Sequence, residues 1–213
     1  LTIGSISGNH TSANSDYNLQ TTSLIYGNGG QAGTNVNITA ATLTVANTVV
    51  TDKVYDGTTT ATLTNGSLQG VVAGDTLSLT QAGNFTNANA SSGISVVANN
   101  SFTVSSTNHS SVVGDYSLTQ PTGLTGNITK RTITLSDTQV YSGNTTLTNV
   151  TIGNLVGNQT LVYSGAVANS SHVADNSTNY ITNITLANGS NGGLASNYQL
   201  PTLNTSNAQV TIT

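Results

Sequence analysis

The 213-residue sequence contains no cysteine, no methionine, no tryptophan and, among its seven acidic residues, no glutamate. Without cysteine no disulfide can brace the fold, and nothing can crosslink prematurely in an oxidising compartment. Only 5% of the residues are charged, where about a quarter is usual. The three bases, Lys53, Lys130 and Arg131, are too few to neutralise a run of phosphates, so no nucleic acid is expected as a partner. The same shortage excludes docking on an anionic membrane. No apolar run approaches 18 residues, so no membrane insertion is expected. There is no signal-peptide pattern and the chain opens inside a repeat, so it reads as an internal piece of a longer protein.

What is present is hydroxyl, amide and glycine. Ser and Thr number 64, Asn 28 and Gly 22. Leu, Ile, Val and Phe number 50, enough for small cores when net charge is only −4. The surface is neutral and polar.

The chain repeats itself. Val54-Tyr55-Asp56-Gly57-Thr58-Thr59 returns as Val140-Tyr141-Ser142-Gly143-Asn144-Thr145. A second landmark, Asp115-Tyr116-Ser117-Leu118, is echoed by Asn197-Tyr198-Gln199-Leu200 and, earlier, by Asp16-Tyr17-Asn18-Leu19. A period of this length marks an array. The landmarks divide the chain into the C-terminal part of a preceding repeat (1–45), a full repeat (46–131) and a second, more divergent full repeat (132–213).

Local pattern is strand-like throughout. Residues 41–45 alternate Ala-Thr-Leu-Thr-Val, and period two recurs at 132–135, Leu77/Leu79, Ile94/Val96, Phe102/Val104, Tyr116/Leu118, Ile184/Leu186 and Val210/Ile212. Thr and Val suit a pleated surface, and Gly, Asn and Ser clusters separate the runs. At most one short helical turn per repeat is expected, near Leu68–Gly74. The fold class is all-β: tandem small Ig-like β-sandwich repeats in an elongated rod, with β-grasp-like repeats carrying one short helix as the alternative.

Chemistry-bearing residues resolve into bland roles. Calcium needs about six or more oxygens, several of them carboxylate, yet Asp56 becomes Ser142, Asp75 becomes Asn158 and Asp115 becomes Asn197 in the next repeat. Asp, Asn and Ser share turn and cap hydrogen bonding instead. His10, His109 and His172 read as exposed loop residues, with no Cys or Glu to complete a zinc site. No nucleophilic triad or phosphate loop is recognisable, so no catalytic residue, cofactor or metal is assigned and no enzyme is expected. Tyr55/Tyr141 and Tyr17/Tyr116/Tyr198 are expected in the core, with their hydroxyls on backbone partners, rather than as sugar-stacking platforms. A Lys–Asn isopeptide crosslink is disfavoured, because the third repeat has no lysine. Sixteen of the 28 asparagines stand in Asn-x-Ser/Thr. Asn9, Asn37, Asn65, Asn84, Asn89, Asn127, Asn149, Asn176 and Asn204 are candidate N-glycosylation acceptors where the transferase exists.

Three ordered blocks carry a family resemblance: Lys53-Val54-Tyr55-Asp56-Gly57-Thr58-Thr59, then Gly70-Val71-Val72-Ala73-Gly74-Asp75-Thr76, then Gly114-Asp115-Tyr116-Ser117-Leu118-Thr119-Gln120-Pro121 running on to Thr129. Residues 46–131 resemble the YDG, mostly-β and glycine-rich (MBG-type) repeats of filamentous-haemagglutinin-like bacterial surface adhesins. The resemblance implies two-partner secretion to a Gram-negative cell surface and a stalk-like, adhesive role in cell adhesion or biofilm cohesion. The partners it implies are a host-cell or matrix glycan or protein, or exopolysaccharide, together with neighbouring repeats and an outer-membrane secretion partner. A carbohydrate-binding module for a neutral glycan is the alternative.

Overall fold

The computed structural model describes residues 39–107 and 112–213. Those residues are all-β, apart from three 3₁₀ turns at Val113–Asp115, Val173–Asp175 and Ala195–Asn197. In chain order the strands are β1 (Ala41–Ala46), β2 (Val49–Thr51), β3 (Lys53–Val54), β4 (Thr60–Thr64), β5 (Ser67–Gln69) and β6 (Asp75–Thr80). β7 (Gly83–Phe85), β8 (Ser91–Ala98), β9 (Ser101–Thr107), β10 (Tyr116–Thr119), β11 (Thr125–Thr129) and β12 (Arg131–Thr132) follow. The last six are β13 (Thr134–Gln139), β14 (Thr151–Gly153), β15 (Leu161–Ala168), β16 (Ile181–Asn188), β17 (Tyr198–Gln199) and β18 (Ala208–Ile212). β2 pairs antiparallel with β4, Val50 opposite Leu63, and β3 pairs in parallel with β11, Lys53 opposite Ile128. No helix among the described residues is long and apolar enough to cross a membrane.

Contacts divide the described residues into two compact units. The first holds 39–51, Ala61–Asn84 and the described part of Ser95–Leu124. The second holds Asp52–Thr60, Phe85–Ile94 and Thr125–Thr213.

In the first unit β1 is the middle strand of three. It runs parallel to β10, with Ala41 opposite Tyr116 and Thr44 opposite Thr119, and antiparallel to β5, with Val45 opposite Leu68. Period two puts Leu43 and Val45 in the core and the intervening threonines outward. β6 and β9 form a separate antiparallel pair whose Leu77, Leu79, Phe102 and Val104 are half-buried. No helical turn forms near Leu68–Gly74, where at most one was expected. Leu68 is committed to β5, and Gly70 then turns the chain at φ +88° against the Thr42 carbonyl, where a Cβ would collide.

The second unit repeats this plan. β13 lies between antiparallel β14 and parallel β18, which it matches over five residue pairs from Leu135–Ala208 to Gln139–Ile212. β12 runs parallel to β17 with Arg131 opposite Tyr198, as Ala41 stands opposite Tyr116. Ile133, Leu135, Ala208, Val210 and Ile212 fill the interior. β15 and β16 form the longest hairpin, with a register shift between Ser164 and Val167 where Gly165 takes φ +62°. Asn179 is fully buried and closes its own surroundings, exchanging two hydrogen bonds with the Ser170 backbone and offering its carbonyl to the Val210 N–H.

One residue breaks the apolar face of β13. Asp137 follows Ile133 and Leu135 at period two and is only 3% exposed. Among the described residues neither carboxylate oxygen accepts a well-formed hydrogen bond, and a weak contact from the Asn149 N–H alone offsets the burial. Burial pushes its carboxyl above the ordinary aspartate range, while the nearby Asn149 N–H pulls it only part of the way back. A carboxyl that is harder to ionise folded than unfolded contributes its full stability below the unfolded value. That contribution is lost as pH rises through the higher folded value. Asp137→Asn is therefore expected to raise the thermal midpoint at pH 7, by the equivalent of about 1–2 kcal/mol, and to lose that advantage at pH 3. Thermal unfolding at both values checks it: an equal shift at the two would show that the carboxyl ionises freely.

Candidate functional site

The chain builds one hydrogen-bonding device twice. In the first unit the Tyr116 hydroxyl accepts the Val72 N–H at 3.3 Å and donates to the Asp75 carboxylate at 2.6 Å. In the second unit the Tyr198 hydroxyl accepts the Val156 N–H at 3.0 Å and donates to Gln159 Oε1 at 2.6 Å. Each acceptor residue turns back on the backbone three positions earlier: Asp75 N–H to the Val72 carbonyl, Gln159 N–H to the Val156 carbonyl, both at 3.1 Å. Each tyrosine opens a strand directly after a 3₁₀ turn, at Val113–Asp115 and Ala195–Asn197. Both rings are buried, at 6% and 2% exposure. The geometry also moves one sequence equivalence by a residue: Gln159, not Asn158, stands in the place of Asp75. Both loops carry a polar residue at either position, so sequence alone did not fix the register.

Burial pushes the Tyr116 phenol up to about 12, and its hydrogen bond to Asp75 adds to the shift while the Val72 N–H opposes it. Phe102 packs edge-on to this ring at 6.2 Å. Asn197 buttresses the other device from below: fully buried, it accepts the Ala90 N–H and donates to Asn89 Oδ1, each at 2.9 Å.

Tyr55 docks onto the second device. Its N–H reaches the Thr129 carbonyl at 2.9 Å while Lys53 and Val54 pair in parallel with Ile128 and Thr129. Its ring meets Tyr198 edge-on at 5.4 Å, and its hydroxyl accepts from Gln159 Nε2 at 2.9 Å. Two residues on, Gly57 (φ +78°) lies against the Val156 side chain. Tyr55, Tyr116 and Tyr198 are thus core residues as expected, and they are not sugar platforms. Tyr17 lies outside the described residues. Tyr141 overturns its expectation: it is 54% exposed. Among the described residues nothing stands against it as Tyr198 and Gln159 stand against Tyr55.

The other candidates separate by environment. His10 and His109 lie outside the described residues, and His172 is exposed. Lys53 Nζ donates to Asp56 Oδ1 and to the carbonyl and hydroxyl of Thr58, at 2.8 to 2.9 Å. Among the described residues its hydrogen-bond partners are Asp56 and Thr58. Burial works against the Asp56 charge, but hydrogen bonds from Lys53 and Thr58 outweigh it and hold the carboxyl low. The Thr58 N–H on its carboxylate makes the turn expected of that aspartate.

The sequon asparagines fall into two groups. Asn65, Asn84 and Asn149 are exposed, and their side-chain amides make no hydrogen bond within the described residues. Asn127 binds Asp52 through its N–H and its amide, at 2.8 Å each, and accepts the Gly93 N–H. Asn176 exchanges two 2.8 Å bonds with the Ile212 backbone. Asn89 and Asn204 are half-buried, with their Oδ1 atoms occupied by Asn197 and by the Ser206 and Asn207 N–H groups. Asn9 and Asn37 lie outside the described residues.

The second unit also carries an open groove of about 610 Å³, lined by Thr132, Ser136, Asn154, Ser206, Asn207 and Gln209 among others. Among the described residues no charged or aromatic side chain lines it. Its Asn154 wall is set by Arg131, whose guanidinium donates to the Asn154 carbonyl and Oδ1 at 2.8 and 2.6 Å. It was invisible in sequence, because its wall joins residues 132–154 to 201–209.

The described chain is thus an all-β protein whose two units are each closed by a buried tyrosine. Residues 39–123 match the YDG domain family, and this stretch is a YDG-type domain. No curated protein and no solved structure matches the chain at a significant level.

Removing either clasp phenol is expected to be costly. Tyr198→Phe strands the Val156 N–H and the Gln159 acceptor, a loss of about 2 kcal/mol readable by denaturant unfolding. For Tyr116→Phe the loss depends on alkaline pH. A phenol raised by folding contributes fully below its ordinary value near 10, and the contribution disappears as pH climbs towards about 12. The wild-type advantage over Tyr116→Phe is expected to shrink across that interval. An advantage that stays constant would mean the phenol titrates normally.

Proposed function

We propose that this chain is a structural and adhesive stalk segment of a large secreted bacterial surface adhesin of the filamentous-haemagglutinin kind. Its repeats would stand in tandem as small β-sandwiches in a rod at a Gram-negative cell surface, serving cell adhesion or biofilm cohesion. The observation that carries the reading is the twice-built tyrosine clasp, the same bonds at Tyr116 and Tyr198, in a chain whose first copy lies in a YDG-type domain. A device repeated with its backbone bonds intact, while its acceptor changes from Asp75 to Gln159, is what selection for a fold rather than for a reaction leaves behind. The reading includes export through an outer-membrane secretion partner and no catalytic activity. Deleting residues 132–213 from the parent protein is expected to weaken adhesion of the bacteria without loss of secretion. Wild-type adhesion by that deletion strain would sink it.

The groove on the second unit supports a second reading, a carbohydrate-binding module for a neutral glycan. Its hydroxyl and amide lining offers hydrogen bonds without charge. On a glycan array the stalk reading expects no selective signal. A selective signal abolished by Gln209→Ala would favour the glycan module.

Glycosylation at Asn-x-Ser/Thr belongs to the first reading, as a substitute for the charges that normally guard strand edges. Peptide mass spectrometry of protein from its native host is expected to find hexose on Asn65, Asn84 and Asn149. Asn127 and Asn176, whose amides are spent on Asp52 and Ile212, should be bare. Sugar on those two, or none on the first three, would remove the idea.

A further inference from the structure

Tyr55 and Tyr141 are held by the same backbone. Tyr55 N–H binds the Thr129 carbonyl at 2.9 Å, and Tyr141 N–H binds the Thr213 carbonyl at 2.9 Å. Each is preceded by a parallel pairing, Lys53 with Ile128 in one case and Gln139 with Ile212 in the other. Each is followed two residues later by a glycine at φ +78°, Gly57 and Gly143. The chain therefore forms the same projecting hook twice. Their surroundings differ: Tyr55 is 3% exposed, whereas Tyr141 is 54% exposed and the adjoining Val140 is 76% exposed.

What the Tyr55 hook takes is on view. It takes an edge-on tyrosine ring, a carboxamide bridging the two phenols, and one aliphatic side chain, Val156, facing Gly57. An exposed tyrosine beside an exposed valine on the same scaffold presents the same half of that contact. Aromatic pairs of this geometry contribute about 0.5–1.5 kcal/mol beyond the area they bury. Neither Tyr141 nor Val140 is spent on the core of its own unit.

We propose that the Val140–Tyr141–Gly143 hook is a docking site for a further repeat of this same type, just as the Tyr55 hook of the repeat 46–131 packs on the repeat 132–213 within the second compact unit. That further repeat would present a clasped tyrosine whose hydroxyl lies between a backbone N–H and a Gln or Asp acceptor. Tyr141 enters as Tyr55 does: its ring meets the clasped ring edge-on, its hydroxyl shares the acceptor side chain, and Gly143 leaves room for the aliphatic residue beside it. The contact is heterologous, hook to clasp, so it propagates in one direction instead of closing into a symmetric dimer. This deepens the stalk reading and rests on it.

The test appends a second copy of residues 130–213 after Thr213, which holds the place of Thr129 before Lys130. Tyrosines are then labelled with tetranitromethane and mapped by peptide mass spectrometry. In the parent chain Tyr141 should label readily while Tyr55 and Tyr198 do not. In the extended chain Tyr141 should become at least about tenfold slower, the protection that a docking equilibrium of about 1.4 kcal/mol provides. The copy of Tyr141 in the appended unit should stay reactive as an internal control. Gln159→Ala in the appended copy should restore labelling of the first Tyr141. If Tyr141 stays reactive while the appended copy of Tyr198 is protected, the hook does not dock and the proposal falls. An appended repeat that fails to fold at this joint also counts against it, because the hook is offered as the means by which successive repeats join. Neither failure touches the stalk reading, which the adhesion of the deletion strain decides separately.

Discussion

A phenol buried in a small β core has to satisfy its hydroxyl, and the way it does so governs much of this chain. One buried tyrosine delivers more apolar surface than any aliphatic residue available here, but leaving its oxygen unpaired would cost about 1–3 kcal/mol. Tyr116 and Tyr198 meet that demand by borrowing a backbone N–H from a loop and lending the proton to a side chain three residues further along it. The same pair of bonds therefore fixes the loop that the ring covers. In the second unit the carboxamide serves two phenols at once, which a carboxylate, able only to accept, could not do in the same way. The Asp-to-Gln change between the copies thus has a chemical consequence: only the amide can donate to Tyr55.

Scarcity of charge shapes the remainder. With so few ionic groups, polar burial is handled by asparagine. Asn179 and Asn197 are fully buried, and the half-buried Asn176 exchanges two bonds with the Ile212 backbone like a short strand segment. Each amide can donate and accept, so each closes a loop without an ion to desolvate. Asp137 is the exception, an acid on the apolar face of β13 that accepts no well-formed hydrogen bond among the described residues.

Much of this architecture is legible in the sequence, and the failures have physical causes. Period two locates β1, β6, β8, β9, β10, β13, β16 and β18, because Leu43/Val45 or Val210/Ile212 can be buried only if the intervening residues face outward. The same rule, applied to Ile133-x-Leu135-x-Asp137, places the aspartate inside. Reading acids as turn residues hid it. No helix forms at Leu68–Gly74 because β1 claims Leu68 through Val45 and Gln69 through Thr44, pairings distant in sequence that local propensity does not register. Tyr141 is misplaced for a similar reason. The burial of its counterpart Tyr55 depends on Gln159 and Tyr198, which no inspection of the Val-Tyr-x-Gly pattern could supply. The groove lies beyond sequence reading altogether, since its walls meet through the β12–β17 and β13–β18 pairings.

The parallel pairings have a mechanical consequence. In each unit an early strand lies beside a late one and points the same way: β1 beside β10, β13 beside β18. Tension drawn along the chain pulls such neighbours in opposite directions along their common axis. The bonds between them are then loaded together in shear, whereas in a hairpin pulled at its open end they would be peeled one by one. The five register pairs of β13 with β18 have to yield as a group. A polypeptide with no disulfide thereby gains a brake on extension from strand direction alone.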